Sequence, residues 1–509
     1  MEEPEQRSPA AELRLAGLLA TGVALGALWV ASALVAGVPF VPAALAELVV
    51  RAAPGGVATF FIELLQHWAL RLLTAGVVAG CLLAGGQVLV ATARRDGPRP
   101  YLAGSLLAAA SAGVIFLRAG VGPNTLTPLA ALAAAALIYG RTATALFELA
   151  AEGAAPDAGR RRALRAGLGW TVALAVGGVA AGWAARRLAG PNTDVRLAAA
   201  DRRARMPARP AWPEIEDLTP EVTSPAQHYV VDINLYRPSL EAVDWTLAVK
   251  GELDRPLELS FVELQERFEI VEEYAVLTCV SNEVGGDLVG HSLWGGVRLG
   301  DLLDAAGLRP SAVDIVARAA DGYSDSIPVE LARDPSVLLA IAQNRRPLTR
   351  EHGFPCRLRV PPIYGMKNVK WITSIEAVGS DYSGYWQRRG WSDEAVVRTQ
   401  SRIDVAGAEG AAVGTPTWIA GVAWAGARGI SKVEVSVDGG ASWAEARLRE
   451  PIGPLSWRHW TYRWTPRGAG SAEISCRATD GQGVVQTERS APPHPAGATG
   501  YHRVTVQVA

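Results

Sequence analysis

Cysteine is scarce in this chain: four residues in 509, at positions 81, 279, 356 and 476, with no CxxC pair. That spacing excludes zinc fingers and ribbons, whose ligands come in close pairs, and it excludes a disulfide-framed scaffold. An excess of one charge is missing too: 49 Lys and Arg face 50 Asp and Glu, for a formal net charge of -1. A nucleic-acid partner calls for a basic excess, so none is expected. Histidine is nearly absent from the first part of the chain, where His67 is the one imidazole before His228. Haem held between helices commonly takes two axial imidazoles, so that part is not expected to be a cytochrome.

Apolar residues are what the N-terminal part has in plenty. Up to about Ala185 the sequence is dominated by Ala, Leu, Val and Gly, and from Arg186 onward it reads as a soluble protein. A bilayer-crossing helix takes about 20 residues with few charges. Five stretches qualify: Leu15–Val38, Leu72–Ala93, Tyr101–Leu117, Val121–Gly140 and Ala166–Ala185. Residues 1–190 are therefore expected to form an all-α membrane domain. Between the first two stretches, Pro, Gly and charge interrupt the run, which fits an interfacial or re-entrant segment. His67 and Arg71, four apart on a helical face, fit a snorkelling pair or a quinone, lipid or partner site. The spans are almost bare of charge, which disfavours a transporter.

Arginine sets the expected orientation. Arg94, Arg95 and Arg99 crowd one loop and Arg160, Arg161, Arg162 and Arg165 another, whereas the turn between the third and fourth stretches carries Arg118 alone. With the two rich loops inside, the N-terminus is cytoplasmic and everything after the fifth stretch is extracytoplasmic, on a multi-pass protein of the plasma membrane.

Residues 191–227 are rich in Arg, Ala and Pro, and 186–227 contain six prolines, so an extended tether is expected. An α+β pattern follows over 228–394. DWTLAVKG alternates like a strand, SFVELQERF starts on a Ser N-cap, EEYAVLTCV is a strand that ends at Cys279, and RLGDLLDAAGL is an amphipathic helix closed by Gly307. CRLRVPPIYGMKNVKWITSIEAV reads as strand, irregular turn, strand. Over 395–509 short alternating strands separated by Gly and Pro turns predict a β-sandwich. Cys81 reads as a small residue packed in an apolar span, Cys476 as an inward strand position, and Cys356 is left open. Taken alone, Cys279 is a buried structural thiol.

The motifs LTCVSNEVGG, LWGGVRLGDLL, EHGFPCRLRVPPIYGMKNVKW and YWQRRGW occur in that order. With them the region from His228 to Ala509 resembles the sulfite oxidase superfamily of molybdopterin-dependent oxidoreductases. Its end, with GVAWAGARGISKVEVSVDGGASW, is similar to that family's immunoglobulin-like dimerisation domain, which implies a possible homodimer. The resemblance makes Cys279 the thiolate ligand of molybdenum, and soft sulfur suits such a centre. By position it makes Asn234, His352, Arg357, Asn368, Val369 and Lys370 the residues that hold the pyranopterin, with Arg357 and Lys370 suited by charge to its phosphate.

The departures from the family are specific. Sulfite oxidases place an Arg in the first loop, where this chain has Val231, Asp232, Ile233 and Asn234, and a Tyr shortly after WQRR, where it has Trp391. An anion needs its charge matched in a desolvated pocket, so sulfite is disfavoured, although Arg388 and Arg389 remain. The implied function is a membrane-anchored molybdenum oxidoreductase. It would transfer an oxygen atom to or from a small oxo substrate and exchange electrons with a separate haem protein or quinone pool. A sulfoxide-reductase-like enzyme and a degenerate partner-binding domain are the alternatives. Because molybdopterin is made in the cytoplasm, the outer domain is expected to cross folded. That expectation gives the arginines before the fifth stretch a second reading, as a twin-arginine export signal.

Overall fold

The computed structural model describes residues 9–35, 38–53, 69–93, 98–119, 126–151, 195–234, 237–407 and 411–509, with isolated positions between 165 and 173. His67, the arginines at 160–162 and most of the fifth stretch lie outside the described residues. The chain divides into two compact units, Met1–Pro191 and Asn192–Ala509.

The first unit is helical: α1 (Pro9–Leu34), α2 (Val41–Ala52), α3 (Ala69–Thr92), α4 (Pro100–Ala119) and α5 (Leu126–Ala151). Among the described residues, α1, α3, α4 and α5 are long and apolar enough to cross a membrane. Helix α2 has 12 residues, about 18 Å of helix against about 30 Å of hydrocarbon, too short to cross. The fourth stretch differs from expectation, because α5 reaches Ala151 rather than stopping at Gly140. Hydropathy breaks at Arg141, but backbone hydrogen bonding does not, and a long guanidinium stem can lie along its own helix. Small residues bring the helices together. A Cβ on Gly17 would fall 2.7 Å from the carbonyl oxygen of Gly85, and Tyr139 donates its hydroxyl to that same oxygen at 2.8 Å.

The second unit starts with the segment expected as a tether. Over 195–227 it contains no regular helix or strand, as its prolines dictate, yet it is packed down. Arg202 bridges Val271 and pairs with Glu269 at 2.9 Å. Thr223 donates its amide to the His291 carbonyl at 2.7 Å, and Pro225 offers its carbonyl to His352 at 2.7 Å. Proline removes donors, but the carbonyls and arginines left over still find partners, so this part is a strap.

The α+β domain has β1 (Thr246–Gly251), β2 (Leu257–Ser260), α6 (Phe261–Arg267), β3 (Ile270–Thr278), β4 (Val289–Arg298), α7 (Leu299–Ala306), β5 (Asp314–Ala319), β6 (Ser324–Pro328), β7 (Leu338–Gln343), β8 (Arg346–Pro347), β9 (Arg357–Arg359) and β10 (Ile372–Val378). Ser260 caps α6 in a reciprocal pairing with Glu263, and Gly307 closes α7 at a φ of 70°, a left-handed turn that glycine enters without Cβ strain. One sheet runs β2-β1-β10-β5-β6 and the other β3-β4-β7-β8, with β9 on β7.

The last domain is a sandwich of β11 (Gln400–Ala406), β12 (Thr417–Trp424), β13 (Ile430–Ser436), β14 (Ala444–Glu445), β15 (Arg447–Leu448), β16 (Arg458–Trp464), β17 (Gly470–Asp480) and β18 (His502–Val508). Its sheets, β11-β12-β16-β15 and β14-β13-β17-β18, enclose Trp460, Val433, Ile474, Cys476 and Ala478. Cys279, Cys356 and Cys476 are free and buried, whereas Cys81 is only half-buried within its unit.

Candidate active site

Strand β3 pairs with β4 along its whole length, from Ile270↔Val297 to Thr278↔Val289. Cys279 follows at once. Its amide donates to the Leu288 carbonyl at 2.9 Å, and its carbonyl accepts from the Asn282 amide at 3.1 Å. The loop is tied further by Asn282, whose side-chain oxygen accepts from the Leu288 amide at 2.8 Å. Gly285 sits here at a φ of 80°, under the His502 ring, where a Cβ would collide. Burial raises the Cys279 thiol, against the lowering effect of its contacts with Ser281 and Val280.

Around the thiol stand side chains from three separate stretches. Tyr229 and Tyr364 both feel the Cys279 sulfur electrostatically, and burial raises both phenols, Tyr364 to about 12. A Cβ on Gly365 would meet the Tyr229 hydroxyl at 2.5 Å and the Thr278 carbonyl at 3.3 Å, so the glycine lets these groups close on one another. His228 stacks on Tyr229 and meets Trp294 and His352 edge-on, with centroids 5.3, 5.8 and 5.4 Å away.

The arginines of β9 complete the group. Arg357 and Arg359 are 4% and 1% exposed, which overturns the half-exposed strand that the alternation of CRLRV suggests: β9 sits on β7 with both faces covered. Their guanidinium carbons lie 5.3 and 5.7 Å from the Trp294 ring. Arg357 donates to the carbonyls of His352 at 3.1 Å and Asn368 at 3.2 Å. Arg359 donates to the Asn368 side chain at 3.2 Å and to the Val276 carbonyl. Among the described residues neither forms an ion pair with a carboxylate, and burial pushes them down to about 10 and about 9.

The residues singled out from sequence therefore separate. Cys279, His352, Arg357, Asn368 and Val369 belong to one buried neighbourhood. Asn368 organises it by holding Arg359 and the Val360 amide with its side-chain oxygen and donating to the Tyr364 carbonyl at 3.1 Å. Lys370 lies at its edge, bonded to Asp232 and to the carbonyls of Val231 and Glu351 at 3.1 Å each. Its charge is thus already met. Asn234 is 6% exposed and donates to the Asp321 carbonyl at 3.0 Å, beside Tyr323 rather than beside the thiol. Arg359, His228, Tyr229 and Thr278 were not legible as site residues, because the fold alone brings their stretches together.

Comparison with known proteins identifies both domains of the second unit. Residues 234–386 match the oxidoreductase molybdopterin binding domain and residues 395–509 the Mo-co oxidoreductase dimerisation domain. The chain is 30% identical to the mitochondrial sulfite oxidase of Rattus norvegicus, over 58% of this chain and 64% of that one. It is 30% identical to the sulfite oxidase of Gallus gallus, over 55% of this chain and 72% of that one. It spans less than two thirds of the length of the mitochondrial sulfite oxidases it matches. In structure it is similar to the sulfane dehydrogenase SoxCD of Paracoccus pantotrophus, with a TM-score of 0.51 and 24% identity, over 57% of this chain and 82% of that one. That likeness is one of fold.

Proposed function

The chain belongs to the molybdopterin-binding oxidoreductases of the sulfite oxidase family, and from that premise we propose a membrane-anchored, extracytoplasmic enzyme that moves an oxygen atom between water and a small oxo substrate. The family implies a molybdopterin cofactor with molybdenum, and the residues present fit it. A buried thiol stands in the same domain as two buried guanidinium groups that form no ion pair with a carboxylate among the described residues. Unpartnered polar atoms gather beside them: His228 Nε2, Thr278 Oγ1, Arg357 Nε and Arg359 Nε among the described residues. Buried cations without counter-charge are costly, and an anionic group placed among them removes that cost.

When bound, the cofactor supplies two-electron chemistry that no side chain offers. Cys279 would hold the metal. Arg357 and Arg359 would face the cofactor's negative charge, with His352, Asn368, Val369 and Lys370 lining it and Asn234 closing the far side. Tyr229, Tyr364 and Trp294 exclude water and keep the guanidinium groups in place. Overall, substrate plus water would exchange with oxidised product, two protons and two electrons. The electrons would pass singly to or from a separate haem protein or quinone pool. The observation that carries this reading is the pair of buried guanidinium groups with no carboxylate ion pair among the described residues, one of them fastened to the Val276 carbonyl three residues before Cys279.

Replacing Cys279 by Ser tests it. Activity with an artificial electron carrier should vanish while circular dichroism stays unchanged. Full activity in that variant would overturn the assignment.

A further inference from the structure

The loop that carries Cys279 is held from a second domain. Its own bonds fold it: the Asn282 amide reaches back to the Cys279 carbonyl, the Gly286 amide to the Glu283 carbonyl, and the Asn282 side chain holds the Leu288 amide. Two residues of the sandwich then close on it. Arg402 on β11 donates through Nη1 to the Gly286 carbonyl at 2.9 Å. His502, at the start of β18, lays one edge of its ring against Gly285, where a Cβ would strike Cδ2 and Nε2. The φ of 80° at Gly285 is a second, independent demand for glycine at that position.

Both sandwich residues are themselves fixed. Arg402, with a side chain 12% exposed, donates through Nε to Asp404 and through Nη2 to the Thr219 hydroxyl, at 2.7 Å each. Asp404 in turn accepts from the Thr219 amide at 3.3 Å, and the Thr219 carbonyl meets His459 Nε2 at 2.8 Å. One rigid planar fork thus ties together the strap, the sandwich and the cysteine loop. The Ile403 amide donates to Nδ1 of His502 at 3.0 Å. That bond leaves the neutral ring's proton on Nε2 and fixes which edge faces the glycine.

We propose that Arg402 and His502 are positioning residues for the metal ligand: the second domain clamps the Cys279 loop and so presents the thiol in one place. The inference rests on the function proposed above for what the thiol holds, whereas the clamp is a property of the chain by itself. A buried thiol on a loop becomes reachable when the loop opens, and the contacts broken on opening set how often it does. Opening this loop breaks the Arg402 bond to Gly286 and parts the His502 ring from Gly285. A ligand already held still gives up less conformational freedom when it binds. The sandwich is then part of the support of the metal site as well as of a homodimer.

The test uses the full-length protein in detergent, cofactor-free and molybdenum-loaded. Iodoacetamide probes the cofactor-free chain, and peptide mass spectrometry reads alkylation at Cys279 apart from the other three cysteines. Arg402→Met and His502→Ala are each expected to speed that alkylation about tenfold, the equivalent of one net hydrogen bond. Gly285→Ala attacks the same contact from the loop side and should do likewise. Arg402→Lys, which keeps a donor, should recover part of the protection. Val433→Ala loosens the sandwich core away from the loop and should leave the rate unchanged. In loaded protein Arg402→Met and His502→Ala should lose molybdenum on dialysis faster than the wild type does. Alkylation unmoved by Arg402→Met and His502→Ala, or speeded as much by Val433→Ala, overturns the proposal. Gly285→Ala leaves the sandwich sequence intact and decides the matter where Arg402→Met does not fold. A wild type without molybdenum that still shows this alkylation pattern upholds the clamp and overturns the proposed function instead.

Discussion

Arg359 donates a hydrogen bond to the carbonyl of Val276, so a fully buried guanidinium is fastened to the strand that ends at Thr278, one residue before Cys279. The cation and the thiol are thereby held by one piece of backbone. With no carboxylate partner among the described residues, Arg359 costs the cofactor-free protein stability. Arg359→Met is therefore expected to lower the melting temperature of the loaded protein by several degrees more than that of the cofactor-free protein. Calorimetry on both forms checks this, and equal losses would point to a purely structural arginine.

The helical unit depends on close approach at Gly85. A Cβ there would lie 1.7 Å from Thr21 Oγ1, whereas one on Gly80 meets nothing within 4 Å. Gly85→Val should destabilise the unit by about 1–3 kcal/mol through overpacking, and Gly80→Ala should be neutral. Thermal unfolding in detergent separates the two.

The strap makes stability sensitive to acid. His291 is fully buried between the Glu221 carbonyl at 2.6 Å and Ser456 at 2.9 Å, and burial pulls it down to about 4. Below its ordinary value of 6.5 the unfolded chain binds the proton first. Stability is thus full above pH 6.5 and falls as the pH drops toward 4, by roughly 3 kcal/mol at most. Denaturant titrations at pH 7 and pH 5 should show the loss, and His291→Gln should reduce it.

Arg161 and Arg162 lie outside the described residues, but their reading as an export signal is open to trial. Changing both to Lys keeps the charge and should leave the second unit inside the cell. Normal display of that unit on the outer face would make the arginines topology charges only.

Cys279 stood out in the sequence only through the resemblance carried by the motifs around it, since a strand pattern that ends near a cysteine reads by itself as a buried thiol. Arg359 did not stand out: alternation on β9 looks like a half-exposed strand until β7 covers it. The resemblance marked Lys370 by position, and its charge suited a phosphate, but in the fold that charge is paired with Asp232. Over 195–227 the prolines read correctly as a break in regular structure, but not as freedom, because backbone amides and side chains together tie the strap down.

Metal analysis of the full-length protein, purified in detergent from molybdenum-replete cells, tests the central claim most directly. The account predicts on the order of one molybdenum per chain, as one thiolate site requires. A small fraction of that, in protein shown to be folded, would contradict it.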